Sequence, residues 1–276
     1  MNRLILTALL MLNAIPVFAQ ESSTVGDQRV PVAAGIDLRN AYMFRGVRQD
    51  DTGTITWPSA EVGLRLHAAQ HGLTSARVRV GTFNSLHSGW AGSSGPSGKS
   101  WYESDVYTTL SLGFANAVGL DTTFTGYRSP NEMFTTVKEL SFTATVDRAV
   151  AGAKSLAPYA LVAFELDTEP GIGQLDGGFK AGKYLELGAT PRHSLRRVGI
   201  AVPVKVGLSI GNYYELAGED HHFGFVSVAG IATLPIGRWI NVHGGVEVER
   251  LGTTTKAFNG GDASKVTALV GVAVVR

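Results

Sequence analysis

The chain has 276 residues, is 44% hydrophobic with 34 glycines and no cysteine, and carries a net charge of +1. That length and apolar share support one sizeable all-β domain, a class that reaches this size undivided. The missing cysteines exclude a disulfide framework and any thiolate ligand or nucleophile, and near-neutral charge without a Lys/Arg cluster longer than two residues excludes the electrostatic footprint of a nucleic-acid binder.

Residues 1–19 read as a secretory signal: Arg3, the apolar run Leu4 to Leu12, then Val17-Phe18-Ala19 as a small-residue cleavage site. The mature chain then starts at Gln20, and a barrel domain occupies 20–276. A membrane anchor needs about 20 consecutive apolar residues, and Asn13 and Pro16 interrupt this run. No later run has spanning length, so any transmembrane structure must be a closed barrel.

From there the chain alternates apolar and polar residues in twelve segments. They run Val30–Tyr42, Ile55–Ala68, Thr74–Asn84, Trp101–Phe114, Val118–Arg128, Lys138–Asp147, Pro158–Asp167, Lys183–Ala189, Val198–Tyr213, Phe223–Leu234, Trp239–Arg250 and Lys265–Val275. An even number fits antiparallel closure, and short connections (Gln70–Leu73, Ala115–Ala117, Pro235–Arg238) alternate with long polar ones (Met43–Thr54, Leu86–Ser100, Thr168–Gly182, Leu251–Ser264). The expected fold is therefore all-β, a single antiparallel transmembrane β-barrel of about 12 strands, with short periplasmic turns and long extracellular loops.

Period-two geometry separates two faces. Val32, Ala34, Ile36 and Leu38 oppose Gly35, Asp37 and Arg39; Ala76, Val78 and Val80 oppose Arg77, Arg79 and Gly81; Leu140, Phe142, Ala144 and Val146 oppose Glu139, Ser141, Thr143 and Thr145. Alternation alone leaves open a soluble lipocalin-type barrel that buries the apolar set. Twelve strands, however, enclose a lumen too wide for Val, Leu and Ala to fill, whereas charged side chains and water can occupy it. Aromatic residues at segment ends, Tyr42, Phe44, Trp57, Trp101, Tyr102, Tyr127, Tyr184, Tyr213, Tyr214 and Trp239, read as interfacial girdles.

The polar face divides by charge. The first three strands place Asp37, Arg39, Glu61, Arg65, Arg77 and Arg79 there, and later strands place Glu103, Asp105, Asp121, Glu139, Glu165, Asp167 and Glu186. A basic sector facing an acidic one sets up a transverse field in an aqueous channel and lines it for small polar or ionic solutes. The alternative is an ion-pair network that plugs the lumen and only stabilises it, and the pattern leaves both open.

The tract AGIDLRNAYMFRGVRQDD, through Tyr42, Phe44, Arg45, Gly46 and Gln49, resembles the first hairpin of the TorF-like porin family of proteobacterial outer membranes. The resemblance implies an outer-membrane barrel and a pore, with no established substrate. Read from its residues, the tract is an interfacial girdle followed by a turn at Gly46; the alternative is a loop element folded inward, with Arg45 and Arg48 at the mouth.

Enzymatic chemistry needs a nucleophile in reach of a histidine held by a third polar group. The motifs G-x-S-x-G and H-E-x-x-H are absent. His243 and Glu247 share a face but stand roughly 13 Å apart along an extended strand, too far to share a metal. His221-His222 beside Glu219 and Asp220 reads as a solvated polar loop rather than a metal site. The expectation is a non-enzymatic, porin-like outer-membrane channel that uses no cofactor or metal and is exported through the periplasm of a Gram-negative cell. Its partners are outer-membrane lipids, the barrel-assembly machinery and small polar solutes, with no nucleic acid and no oligomeric state specified; a non-conducting structural or adhesive barrel and a lipid hydrolase are the alternatives.

Overall fold

The computed structural model describes residues 28–89, 91, 99–115, 117–146, 156–166 and 180–276. The signal segment, most of Leu86–Ser100 and Thr168–Gly182, and Asp147 and Asp167 lie outside the described residues. In chain order, β1 (Val32–Arg39) is followed by a short hairpin, β2 (Tyr42–Phe44) and β3 (Val47–Asp50). Then come β4 (Ile55–Ala68), β5 (Leu73–His87), β6 (Trp101–Phe114), β7 (Val118–Tyr127), β8 (Val137–Val146), β9 (Tyr159–Glu165) and β10 (Lys183–Ala189). A second short pair, β11 (Arg192–Leu195) and β12 (Val198–Ala201), precedes β13 (Val204–Gly211), and β14 (Glu215–Leu216) and β15 (Glu219–Asp220) form a small loop hairpin. The chain finishes with β16 (Phe223–Ile236), β17 (Ile240–Leu251), the helix α1 (Thr253–Phe258) and β18 (Ser264–Val275).

Twelve of these strands form one antiparallel ring, in the order β1, β4 to β10, β13, β16, β17 and β18. The ring closes where β1 lies against β18, with Ala33 opposite Val275 and Arg39 opposite Leu269. Closure leaves no edge strand and satisfies the wall's backbone groups within the sheet, as a hydrocarbon environment requires. The fold is a single transmembrane β-barrel.

Three segments, Ile55–Ala68, Trp101–Phe114 and Lys183–Ala189, match their expected bounds residue for residue. Two differ. The first strand stops at Arg39 rather than Tyr42, because Asn40 Oδ1 accepts the Ala268 N–H at 2.8 Å in place of a backbone carbonyl, and the chain leaves the wall there. The expected strand Val198–Tyr213 is interrupted at Val202-Pro203, where proline offers no N–H to the ladder. Its register survives the break: Ala201 faces Ile231 and Val204 faces Val228 on β16. The connection left between the expected segments Lys183–Ala189 and Val198–Tyr213 contains β11, so the β10–β13 hairpin continues past the rim to a tip at Arg196-Arg197, with Leu195 paired to Val198.

Burial decides which face is which. Val32, Ile36 and Leu38 on β1, Leu110 on β6, Phe124 on β7, Val228 on β16 and Val270 on β18 are 41–52% exposed, whereas the inward Asp37, Thr109, Thr123 and Ser227 are exposed by 2% or less. A soluble barrel would reverse this order. The girdle reading requires correction for eight of its ten aromatics. Tyr42, Phe44, Trp57, Tyr102, Tyr127, Tyr184, Tyr213 and Tyr214 are buried inside, and only Trp101 and Trp239 stay at the outer surface. Strand parity accounts for three of them, since Trp57 shares the inward face with Ser59, Tyr127 with Thr125 and Tyr184 with Glu186. Inward rings need room beside them. Gly81 lies opposite Tyr107 and Gly207 opposite Phe225, and a Cβ at either glycine would collide with the facing ring.

Val228 lies near the middle of β16, so Val228→Arg is expected to cost on the order of 2–4 kcal/mol, and Val228→Leu to stay within about 0.5 kcal/mol. Urea unfolding in phospholipid vesicles measures both. Equal stability of the two variants would contradict the outward assignment.

Candidate functional site

After Asn40 the chain turns into the barrel. The β2–β3 hairpin is closed by Arg45-Gly46 at φ 47° and 81°, the pair of positive values that a two-residue type I′ turn requires. Gly46 is demanded twice over, because a Cβ there would also sit 2.9 Å from the Phe225 ring. Residues from Ala41 to Val47 are buried, which places the expected interfacial tract inside the lumen. The inward alternative holds; the girdle reading does not.

Arg45 is the hairpin's anchor. Its guanidinium meets Glu139 of β8 in a two-pronged pair, Nη1 to Oε2 at 2.6 Å and Nη2 to Oε1 at 2.9 Å, and Nη1 also donates to the Tyr213 hydroxyl at 2.9 Å. Cζ lies 4.1 Å from the centroid of the Tyr184 ring on β10. With both partners about 4–5% exposed, the planar fork matches the carboxylate geometrically and stacks on an aromatic face, which a lysine cannot do.

The turn's backbone is held from the other end of the chain. Asn259, at the C-cap of α1, donates through Nδ2 to Gly46 O at 2.8 Å and accepts the Arg48 N–H at 3.2 Å. Tyr214 donates its hydroxyl to Arg45 O at 2.9 Å, while Thr254 Oγ1 donates to Tyr214 O at 3.0 Å. Between α1 and β18, Asp262 bonds Lys265 at 2.7 Å, and this hydrogen bond to the ammonium holds the exposed Asp262 carboxyl below its usual range.

Aromatic packing flanks the hairpin. Tyr42 meets Trp57 edge-on at 4.9 Å between centroids, with Phe83 and Tyr102 around it, and Phe44 meets Tyr127 at 5.6 Å. Gln49 accepts the Tyr102 hydroxyl at 3.1 Å. Tyr102 and Glu103 are adjacent in sequence and both buried, because the β5–β6 register shifts between Ser85 and Leu86 and a bulge turns both inward.

Beside this cluster a chain of hydrogen bonds runs from the wall to the loop. Trp57 Nε1 donates to Ser85 Oγ at 2.9 Å, Ser85 Oγ lies 2.7 Å from His87 Nε2, and His87 Nδ1 lies 2.8 Å from Asp50 Oδ2. The Asp50 carboxylate can only accept, so a neutral imidazole donates from Nδ1 to it and accepts the serine O–H at Nε2. The order Ser-His-Asp is that of a nucleophilic triad. Here, however, Ser85 is 0% and His87 1% exposed, and the serine already accepts from tryptophan, so the chain works as a clamp on the end of β3.

The expected lumen residues face inward. Glu61 accepts from Arg79 at 3.1 Å and from the Tyr107 hydroxyl at 3.0 Å, and Arg39 lies over the Trp57 ring at 3.9 Å. Arg65 and Arg77 are cross-strand neighbours on β4 and β5. Asp37 bonds His243 at 2.8 Å. Glu186 takes the hydroxyls of Tyr159 and Tyr184 at 2.7 and 2.6 Å, and Glu165 takes the Gly182 N–H at 2.7 Å. Glu103 and Asp105 are buried next to each other on β6, and Asp167 lies outside the described residues. Away from the hairpin, Glu61 and Arg79 keep side-chain exposures of 16% and 14%, and Glu247, 3.3 Å from Lys205, keeps 21%.

Thr143, which its polar face had marked as water-facing, is only 4% exposed. The sequence reading missed Ser85, His87, Lys205, Glu249 and Asn259, and weighed Glu247 only as a partner of His243. Inward parity on β5, β13 and β17 was a usable signal for all of these but Asn259. Nothing local marked Asn259, whose partner Gly46 is 213 residues away.

No protein-family model matches this chain, and no curated protein matches it. Solved outer-membrane barrels share its fold. An outer-membrane channel from Pseudomonas putida F1 superposes with a TM-score of 0.50 at 9% identity, covering 90% of this chain and 95% of that one. The NanC porin gives 0.45 at 13% identity over 89% and 98% of the two chains, and outer-membrane phospholipase A from Escherichia coli 0.44 at 11% over 88% and 89%. At these identities the likeness is one of fold.

Replacing Arg45 alone leaves Glu139 buried without its cation, so Arg45→Met is expected to cost about 3–5 kcal/mol. The double change Arg45→Met with Glu139→Leu is expected to recover most of that loss. Urea midpoints of the single and double variants test the coupling, and additive losses would contradict it.

Proposed function

We propose that the protein is an outer-membrane channel for small polar or ionic solutes, in which the β2–β3 hairpin forms the constriction. One observation carries the reading: the hairpin stands inside the ring on the Arg45–Glu139 pair, and away from it Glu61, Arg79 and Glu247 remain partly open. Facing rows of fixed charge in a low-dielectric lumen favour hydrated, polar solutes and reject apolar ones. The short-turn end faces the periplasm in this reading, and the resemblance of the hairpin tract to the TorF-like porins supports it. No catalytic role is proposed for Ser85, which is sealed from solvent; a serine-reactive phosphonate is expected to leave it unlabelled.

Planar-bilayer recording tests the channel. Wild-type protein is expected to show small unitary conductance, and replacing Met43–Arg48 with Gly-Gly is expected to raise it several-fold, about in proportion to the freed cross-section. If neither protein passes current, the barrel is non-conducting and structural.

Selectivity is tested separately. Exchanging Arg77 and Arg79 together for glutamine removes two fixed cations from the lining, so the reversal potential is expected to shift toward cations and the shift to shrink at high salt. An unchanged reversal potential would move selectivity to the hairpin.

A further inference from the structure

At the short-turn end of the barrel, the charged side chains of the described residues have one sign. Among the described residues of its connections and of the two chain ends lie Arg29, Arg192, Arg196, Arg197, Arg238 and Arg276, with no Asp or Glu. The long-loop end is mixed: Arg48 and Lys265 both pair with Asp51, and Lys265 also with Asp262.

Four of these arginines belong to adjoining segments of the rim, since β12 lies on β16, β16 on β17 and β17 on β18. Gly199, Ile200 and Ala201 of β12 face Thr233, Ala232 and Ile231 of β16. Continuing that offset sets Arg197 beside Pro235 and Arg196 beside Ile236, next to the turn that carries Arg238. In that turn the guanidinium carbons of Arg238 and Arg276 lie 5.3 and 5.8 Å from the centroid of the Trp239 ring, and Val275 N donates to Trp239 O at 2.9 Å. All four arginines are exposed, and none has a carboxylate partner among the described residues. The outward apolar face runs down to them through Val202, Leu234, Ile236, Ile240 and Val274, and Leu195 at the hairpin tip is 64% exposed.

We propose that this rim is a binding site for the phosphate headgroups of anionic phospholipids, with Arg196, Arg197, Arg238 and Arg276 as its ligands and Trp239 as the interfacial anchor. The inference rests on the transmembrane reading of the fold. At the height where an apolar face ends, a bilayer presents phosphates; guanidinium forks bind phosphate through paired hydrogen bonds, and a ring beside two arginines suits the boundary of tail and headgroup. An acidic protein segment would match the charge, but it offers nothing to cover Leu195 and does not follow from a rim set at the lower edge of an apolar, lipid-facing wall. The lipid accounts for both.

The test uses the full barrel refolded into phosphatidylcholine vesicles containing about one-fifth phosphatidylglycerol. In a Trp90→Phe, Trp101→Phe background, quenching of the remaining tryptophans by dibrominated phosphatidylglycerol is compared with quenching by dibrominated phosphatidylcholine. Trp57 is sealed inside, so Trp239 reports. The expected result is at least about a threefold preference for the anionic lipid, lost in the triple variant Arg196→Gln, Arg197→Gln, Arg238→Gln and reduced by high salt. Equal quenching by both lipids in an inserted barrel overturns the proposal. So does arginine-dependent binding of soluble polyglutamate without a lipid preference, which would assign the rim to a protein partner. Failure of the chain to enter vesicles at all, read from the missing heat-dependent gel shift of a folded barrel, would instead remove the transmembrane reading on which the proposal stands.

Discussion

Closing twelve strands into a ring leaves an interior wider than the wall's own side chains can fill, and the first long connection supplies the missing material. The β2–β3 hairpin must therefore do two things that conflict in a lipid-embedded protein. It brings extra backbone into a space with little water, and it must leave none of its own polar groups stranded. Its own ladder is too short to achieve that. The wall and the last loop complete it, through Tyr214 and Asn259 at the turn and through His87 at Asp50.

Electrostatics explains why an arginine sits at the tip. The walls from β6 to β10 present Glu103, Asp105, Asp121, Glu139, Glu165 and Glu186 to the lumen, and Arg45, entering from a loop, meets Glu139 there with both prongs. A buried carboxylate needs a matched cation or several hydrogen-bond donors. The tyrosines do the second job. Tyr159 and Tyr184 both donate to Glu186, and Tyr127 joins Arg45 on Glu139 at 3.3 Å, so aromatic and acidic residues occupy the same face for one reason.

Much of this was legible in the sequence, and the misses have identifiable causes. Parity is a local property, so the bounds of β4, β6 and β10 and the inward set from Asp37 to Glu186 could be read directly. The same parity already placed Trp57 with Ser59 and Tyr184 with Glu186, and only attention to strand ends rather than strand faces moved those rings to the surface. Tyr102 was different in kind, because a bulge overrides alternation and leaves no mark in composition. The strand β11 was hidden by Pro191, which removes an N–H donor nearly opposite Pro203 while the register continues through both. The Ser85–His87–Asp50 chain joins an i, i+2 pair on β5 to the end of β3, and no spacing rule links the two.

The grip of Asn259 on Gly46 has a consequence for how the interior is completed. The hairpin precedes almost the whole wall in sequence, yet its turn is held by residues that follow β17, and β1 finds its second neighbour only in β18. Contacts spanning more than two hundred residues are the costliest to form, because most of the chain must be ordered before they bring any gain. The hairpin's docking and the sealing of the ring therefore depend on the same late event, the arrival of β17, α1 and β18. Until then Arg45 has at most Glu139 and the tyrosines of a wall still open on one side, where water competes for the pair. Once the ring closes, water is excluded and the pair strengthens. The docked hairpin is thus a product of barrel closure and not a template for it.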